Sequence, residues 1–122
     1  MQNSRKTIVL GATPRAGRYA YAAVQQLLQK GHEVIPLGIR EGEIDGLPIQ
    51  HGQPMIDDVD TVTVYLNVAH QRPYYDYLLK LRPRRIIFNP GAENPELARL
   101  ASAEGIEVES ACTLVLLAYG GY

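Results

Sequence analysis

The sequence predicts a three-layer α/β fold, with a mostly parallel sheet of five to six strands covered by helices on both faces. Three observations carry that prediction. Short β-branched apolar runs alternate with helix-like stretches along the chain. Several of the runs are continuously apolar rather than alternating, which marks strands buried on both faces. Glycine or proline stands at several junctions, where the chain leaves one element for the next.

The first strand is Thr7-Ile8-Val9-Leu10. After a loop from Gly11 to Gly17, apolar residues recur at Ala20, Ala23, Val24, Leu27 and Leu28, one stripe of a helix, and Gly31 stands at the left-handed cap position. Glu33-Val34-Ile35-Pro36-Leu37 reads as the second strand, with Pro36 near its end. Ile44, Leu47, Pro48 and Ile49 suggest a turn and a short third strand, and residues 56–60 a brief helical turn or loop. Thr61-Val62-Thr63-Val64-Tyr65-Leu66 is the fourth strand. A helix carrying Tyr74, Tyr77, Leu78 and Leu81 follows and ends at Pro83. Arg85-Ile86-Ile87-Phe88 is the fifth strand. Asn94, Pro95 and Glu96 then open a helix as N-cap, first helical residue and dipole partner, with Gly105 closing it. Leu97, Ala98, Leu100 and Ala101 supply its buried face. Ile106-Glu107-Val108 is a sixth strand, and residues from about 113 to 118 form a final helical turn or a docking tail. With no repeat or linker, residues 1–122 read as one domain of Rossmann-like, doubly wound type.

Bulk properties narrow the function classes. The chain has 122 residues, 46% hydrophobic and 20% charged, with a net charge of −1. No electrostatic pull toward nucleic acid or an anionic membrane surface is expected. Arg82, Arg84 and Arg85 around Pro83 read as a solvated charge run at a connection. The lone cysteine, Cys112, excludes an internal disulfide framework and fits a cytoplasmic location. No run is long enough for a signal peptide core or a membrane span.

In such sheets a ligand lies beyond the carboxyl ends of the strands, where the strand order reverses. The first loop there is Gly11-Ala12-Thr13-Pro14-Arg15-Ala16-Gly17-Arg18. Gly11 permits close approach of a phosphate, helix N-terminal amides offer an anion site, Thr13 adds a hydroxyl, and Arg15 and Arg18 can grip a diphosphate. The loop is neither a full G-x-G-x-x-G fingerprint nor a Walker loop. The opposing reading is a plain tight turn with solvated arginines. After the second strand come Leu37-Gly38-Ile39-Arg40, with no acid to hold ribose hydroxyls. Arg40 suits an extra ribose phosphate, as in coenzyme A or NADP, unless Glu41 and Glu43 pair with it. Asn89-Pro90-Gly91 brings an amide side chain and bare backbone to the same crevice, while Glu93 reads as a dipole partner or a cofactor acceptor.

Catalytic signatures are sparse. His32, His51 and His70 are scattered, without metal-ligand spacing. His32 reads as an ordinary histidine at a helix end, and His70 as a loop histidine near the crevice. Cys112 reads as a small buried hydrophobe, and neither Ser102 nor Ser110 has an apparent base. No complete active site is expected.

The run Ile8-Val9-Leu10-Gly11-Ala12-Thr13, then Gly31-His32-Glu33-Val34-Ile35-Pro36, Val59-Asp60-Thr61-Val62, Asn89-Pro90-Gly91-Ala92-Glu93-Asn94, Gly105-Ile106-Glu107-Val108 and Cys112, resembles the small stand-alone CoA-binding proteins. These are relatives of the CoA-binding domain in the succinyl-CoA ligase alpha subunit. The resemblance implies a Rossmann-like fold with coenzyme A's diphosphate on Gly11, Ala12, Thr13 and Arg18. It places Gly38 to Arg40 near the adenosine end and Asn89 to Gly91 along the crevice. The chain departs from the family pattern at Leu37-Gly38-Ile39, where many members carry Val-Asn-Pro, and at Tyr65-Leu66, where many carry Phe-Arg. Ser110 and Ala111 replace the charged neighbours of the family's cysteine. The expected function is therefore non-catalytic binding of coenzyme A or an acyl-CoA. Two readings compete with it: a small redox or acyl-transfer enzyme using Cys112 or His70, and a regulatory or assembly module with a degenerate nucleotide site. Its apolar ending, Leu114 to Tyr119, would bury itself in a partner or a twin subunit.

Overall fold

The computed structural model describes residues 4–122. Five parallel strands form the sheet: β1 (Thr7–Leu10), β2 (Val34–Leu37), β5 (Thr61–Val64), β6 (Arg85–Phe88) and β7 (Glu107–Ser110), in the order β2-β1-β5-β6-β7. All residues of β1, β2, β5 and β6 are buried, Thr7, Thr61, Thr63 and Arg85 among them, as strands covered on both faces are.

Alternation along the strands divides the interior. Ile8, Leu10, Val62, Val64, Ile86 and Phe88 face α2 (Tyr75–Leu81) and α3 (Pro95–Ala103). Val9 and Val34 face the other side, where Ala20, Val24 and Leu27 of α1 (Tyr19–Gln29) meet Leu117 of α4 (Thr113–Tyr119). The helix caps follow the sequence signals. Gly31 adopts φ +86° while His32 N–H reaches back to the Leu27 carbonyl, a six-residue closure that satisfies a terminal acceptor. Asn94 Oδ1 accepts from Leu97 N–H at 3.1 Å, as its place before Pro95 predicts.

Some elements differ from the sequence expectation. The third strand is a separate two-strand hairpin, β3 (Glu43–Ile44) and β4 (Leu47–Pro48), turned by Asp45 and Gly46 at φ +49° and +86°. Its Ile44 is fully buried against α1, so the hairpin props the helix rather than widening the sheet. The fourth strand stops at Val64, and residues 68–74 wind as two 3₁₀ turns before α2. Leu97 and Ala101 are the buried residues of α3, while Leu100 is exposed.

The ending is a full helix, α4. Leu117 is buried within the chain itself, which stabilises the docked helix by about 2 kcal/mol, and Val115 and Tyr119 remain exposed. Of the arginines around Pro83, Arg82 and Arg84 are exposed, as a solvated run requires, but Arg85 is not. Arg85 begins a buried strand and is only 4% exposed, because its position in the alternation turns it under the chain's last residues. No helix among the described residues is long and apolar enough to cross a membrane.

Candidate functional site

The chain leaves β1 and β5 toward opposite faces of the sheet, and a crevice opens between their carboxyl ends. Bare backbone makes that meeting possible. Gly11 leaves β1 at φ +98°, donating to the Leu37 carbonyl at 2.8 Å. A Cβ there would stand 3.1 Å from the Leu66 nitrogen. Gly38 is tighter still, since a Cβ on it would lie 2.2 Å from the Ala12 carbonyl oxygen. The exits of β1, β2 and β5 are thus pressed together around peptide groups.

Above them the loop of residues 11–18 curls into α1. Thr13 Oγ1 accepts from Arg15 N–H at 3.3 Å, and Arg18 is the N-cap in extended conformation without a side-chain capping bond. The first-turn amides of α1 have no partner inside the helix, and no acidic residue offsets the positive end of its dipole. Arg15, Arg18 and Arg40 line one cleft of about 330 Å³ together with Gly11, Thr13 and Pro90. Among the described residues, ion pairs engage Arg5, Lys6, Arg72, Arg82 and Arg84, leaving these three arginines without a carboxylate partner. Neither Glu41 nor Glu43 forms an ion pair with Arg40. The cleft is therefore a concentrated, uncompensated positive region beside free amide donors.

Two arms extend from it. Toward α2, a space of about 360 Å³ is walled by Ala12, Gly38, Leu66 and Tyr74 and continues past His70 to Ile39 and Gln53. Toward α4, a narrower space of about 240 Å³ runs between Tyr19, Tyr65, Pro90, Cys112 and Leu114. Burial raises the phenol of Tyr65 well above its ordinary pKa, so this wall stays neutral, and its buried hydroxyl has no hydrogen-bond partner among the described residues.

A buried amide network fixes the walls. Asn89 Nδ2 donates to Thr63 Oγ1 at 2.7 Å and to the Val64 carbonyl at 2.9 Å, while Thr113 N–H donates to Asn89 Oδ1 at 2.9 Å. Gln71, 1% exposed, donates to the Leu66 and Ala92 carbonyls and accepts from Asn94 Nδ2. These side chains tie the loop after β5 to the start of α3 and to α4, so the crevice keeps its shape without a ligand.

The residues singled out from the sequence divide accordingly. Gly11, Thr13, Arg15, Arg18, Arg40 and Pro90 share the central cleft, and Ala12 and Gly38 line its first arm. Asn89 lines the narrow arm, but its carboxamide is turned inward and fully engaged, so the amide expected in the crevice is structural. Gly91 lines none of these spaces; its N–H donates to Glu93 Oε1 at 2.9 Å, which also gives Glu93 a local role. Cys112, expected to be buried, is half-buried and lines the narrow arm. Tyr65 and Leu66, where the chain departs from the family's Phe-Arg, wall these spaces, and so do Tyr19 and Tyr74, to which the sequence pattern does not point because only the folded chain brings their helices beside the loop after β1. Among the described residues no cluster of histidine, cysteine or carboxylate could hold a metal ion.

A family model described as a CoA binding domain matches residues 5–118. Among solved structures, a crystal structure of an uncharacterized protein is 48% identical and superposes with a TM-score of 0.97, covering 99% of this chain and all of that one. A protein from Thermus thermophilus is 22% identical with a TM-score of 0.85, over 98% of this chain and 91% of its own. A conserved hypothetical protein from Pyrococcus furiosus is 26% identical with a TM-score of 0.77, over 91% and 97%. No curated protein matches the sequence.

Proposed function

The chain belongs to the CoA-binding domain family, and from that premise we propose that it binds coenzyme A or an acyl-CoA without carrying out a reaction of its own. The observation that carries this reading is the cleft at the β1–β5 divergence. Three arginines without carboxylate partners among the described residues meet an uncapped helix start over a floor of glycine backbone. Such a cradle suits an anion that must approach the peptide closely, which a diphosphate does. Gly11, Ala12, Thr13, Arg15 and Arg18 would hold it, and Arg40 would take the phosphate on the ribose. Two arms leaving a cationic centre suit a ligand with a nucleoside at one end and an extended chain at the other. NADP shares the diphosphate and the ribose phosphate; family membership and the apolar narrow arm favour coenzyme A.

Isothermal titration with coenzyme A, NADP and NAD tests the proposal. Heat is expected with coenzyme A and little with NAD, for which the β2 exit offers no ribose acid. Arg18→Ala should weaken coenzyme A binding about tenfold, the worth of one charge-assisted hydrogen bond, and leave the melting temperature unchanged. No heat with coenzyme A at high micromolar protein overturns the reading.

A further inference from the structure

The chain after β2 has to carry Arg40 to the cleft from an edge strand, where half the backbone groups have no neighbouring strand. Residue 50 supplies the missing neighbour. Gln50 N–H donates to the Pro36 carbonyl and Gly38 N–H to the Gln50 carbonyl, both at 2.9 Å, forming a parallel bridge beside Leu37. His51 completes the grip, with Nδ1 2.8 Å from the Gly38 carbonyl oxygen. A carbonyl only accepts, so Nδ1 carries the proton. The other side of Gly38 is closed by the Ala12 carbonyl, which leaves no room even for a methyl group. A second pin follows at once, Ile49 N–H to the Gly42 carbonyl at 2.9 Å. Between the two pins lie only residues 39–41, and Arg40 is the middle one.

We propose that His51 is a positioning residue. By holding the Gly38 peptide in one orientation it sets the direction in which the exposed Arg40 leaves the chain, and so the site's recognition of the ribose phosphate. This rests on the coenzyme A reading. Without the imidazole Gly38 keeps its N–H bond to Gln50, but the Gly38–Ile39 peptide loses the side-chain anchor on its carbonyl, and Arg40 samples a wider arc. His51 touches no part of the central cleft, so its effect passes through the backbone.

The experiment compares coenzyme A with dephospho-coenzyme A, which lacks the ribose phosphate, on the parent protein, His51→Ala and His51→Asn. Asparagine places an N–H donor the same number of bonds from Cα as Nδ1. The preference for coenzyme A over its dephospho form should fall about tenfold in His51→Ala, with dephospho-coenzyme A affinity held, and return in His51→Asn. Amide chemical shifts of Gly38, Ile39 and Arg40 in the ligand-free proteins should move in His51→Ala and return in His51→Asn. An alanine variant that keeps the preference, loses both ligands equally, or leaves those shifts in place overturns the proposal. A parent protein that binds neither ligand overturns the coenzyme A reading instead, while the shifts still decide the positioning.

Discussion

The two ends of the sheet use the same residue types to opposite effect. At the carboxyl end Arg15, Arg18 and Arg40 lack carboxylate partners among the described residues, and the helix start beside them is uncapped. At the amino end the arginines Arg5, Arg84 and Arg85 are engaged. Arg84 grips Asp60 with two bonds, at 2.9 and 3.2 Å, and Arg5 adds a third at 3.4 Å. Arg85 donates to Thr61 Oγ1 and the Tyr122 carbonyl, with its guanidinium 4.6 Å from the centre of the Tyr122 ring. Tyr122 also bonds Thr7 through its hydroxyl and meets His32 edge-on at 5.0 Å. Polar groups satisfied in this way fasten the fold, whereas groups left open are available to a ligand. On the proposed function the difference separates stability from binding in space, and single substitutions can test that separation.

The largest effect should come where the two roles coincide. Gly38→Ala forces a methyl group into the Ala12 carbonyl, a backbone atom that cannot step aside without moving the loop it belongs to. Stability should fall by ~3 kcal/mol, and coenzyme A binding should vanish with the displaced loop. Urea denaturation and titration calorimetry on the same variant check this. A variant as stable as its parent would break the claim that these strand exits are pressed together.

Arg85→Ala sharpens the comparison from the other end. It removes two hydrogen bonds and a ring contact from a 4% exposed side chain, at a cost of ~2 kcal/mol. Coenzyme A affinity should be unchanged, the mirror image of Arg18→Ala. A loss of affinity measured in folded protein would mean that the two ends are coupled through α4, whose first residues wall the narrow arm and whose last turn leads to Tyr122.

The sequence makes some of this division legible and hides the rest. The strands, the Gly31 and Asn94 caps and the glycine loop depend on neighbours within a few residues, so local pattern reveals them. Asp45-Gly46 between Ile44 and Leu47 was also a readable hairpin signal, since both positions need positive φ, but one strand was expected there instead of two. Asn89 shows the harder limit. Its amide is committed by Thr63 and Thr113, each more than twenty residues away, so nothing beside it in the chain says that it points inward. Arg85 departs from its sequence reading for the same reason: its partners are Thr61 and Tyr122, and an arginine two residues after a proline reads as surface until they are known.

The smallest expected effect concerns His32, and it asks whether the engaged groups of the amino end respond to protons. Burial, with Arg5 and Arg85 nearby, holds the imidazole pKa below its ordinary value. The geometry agrees, because His32 Nδ1 accepts Arg5 N–H at 2.9 Å and cannot do so once protonated. The unfolded chain therefore takes up a proton as the pH falls through ~6.5, before the folded one does, and stability declines from there down to the lower folded value. Asp60 titrates in a separate window. Burial raises its pKa, but the Arg84 and Thr61 hydrogen bonds outweigh that and hold it below the ordinary carboxylate value, so its contribution is lost only below pH ~4. Solvent screens the partly exposed ring, so the decline between pH 8 and 5.5 should be a few tenths of a kcal/mol. His32→Asn, which keeps an acceptor for Arg5 but does not titrate, should flatten it. A slope that survives the substitution would place the sensitivity in another group and leave the amino end insulated from the proton.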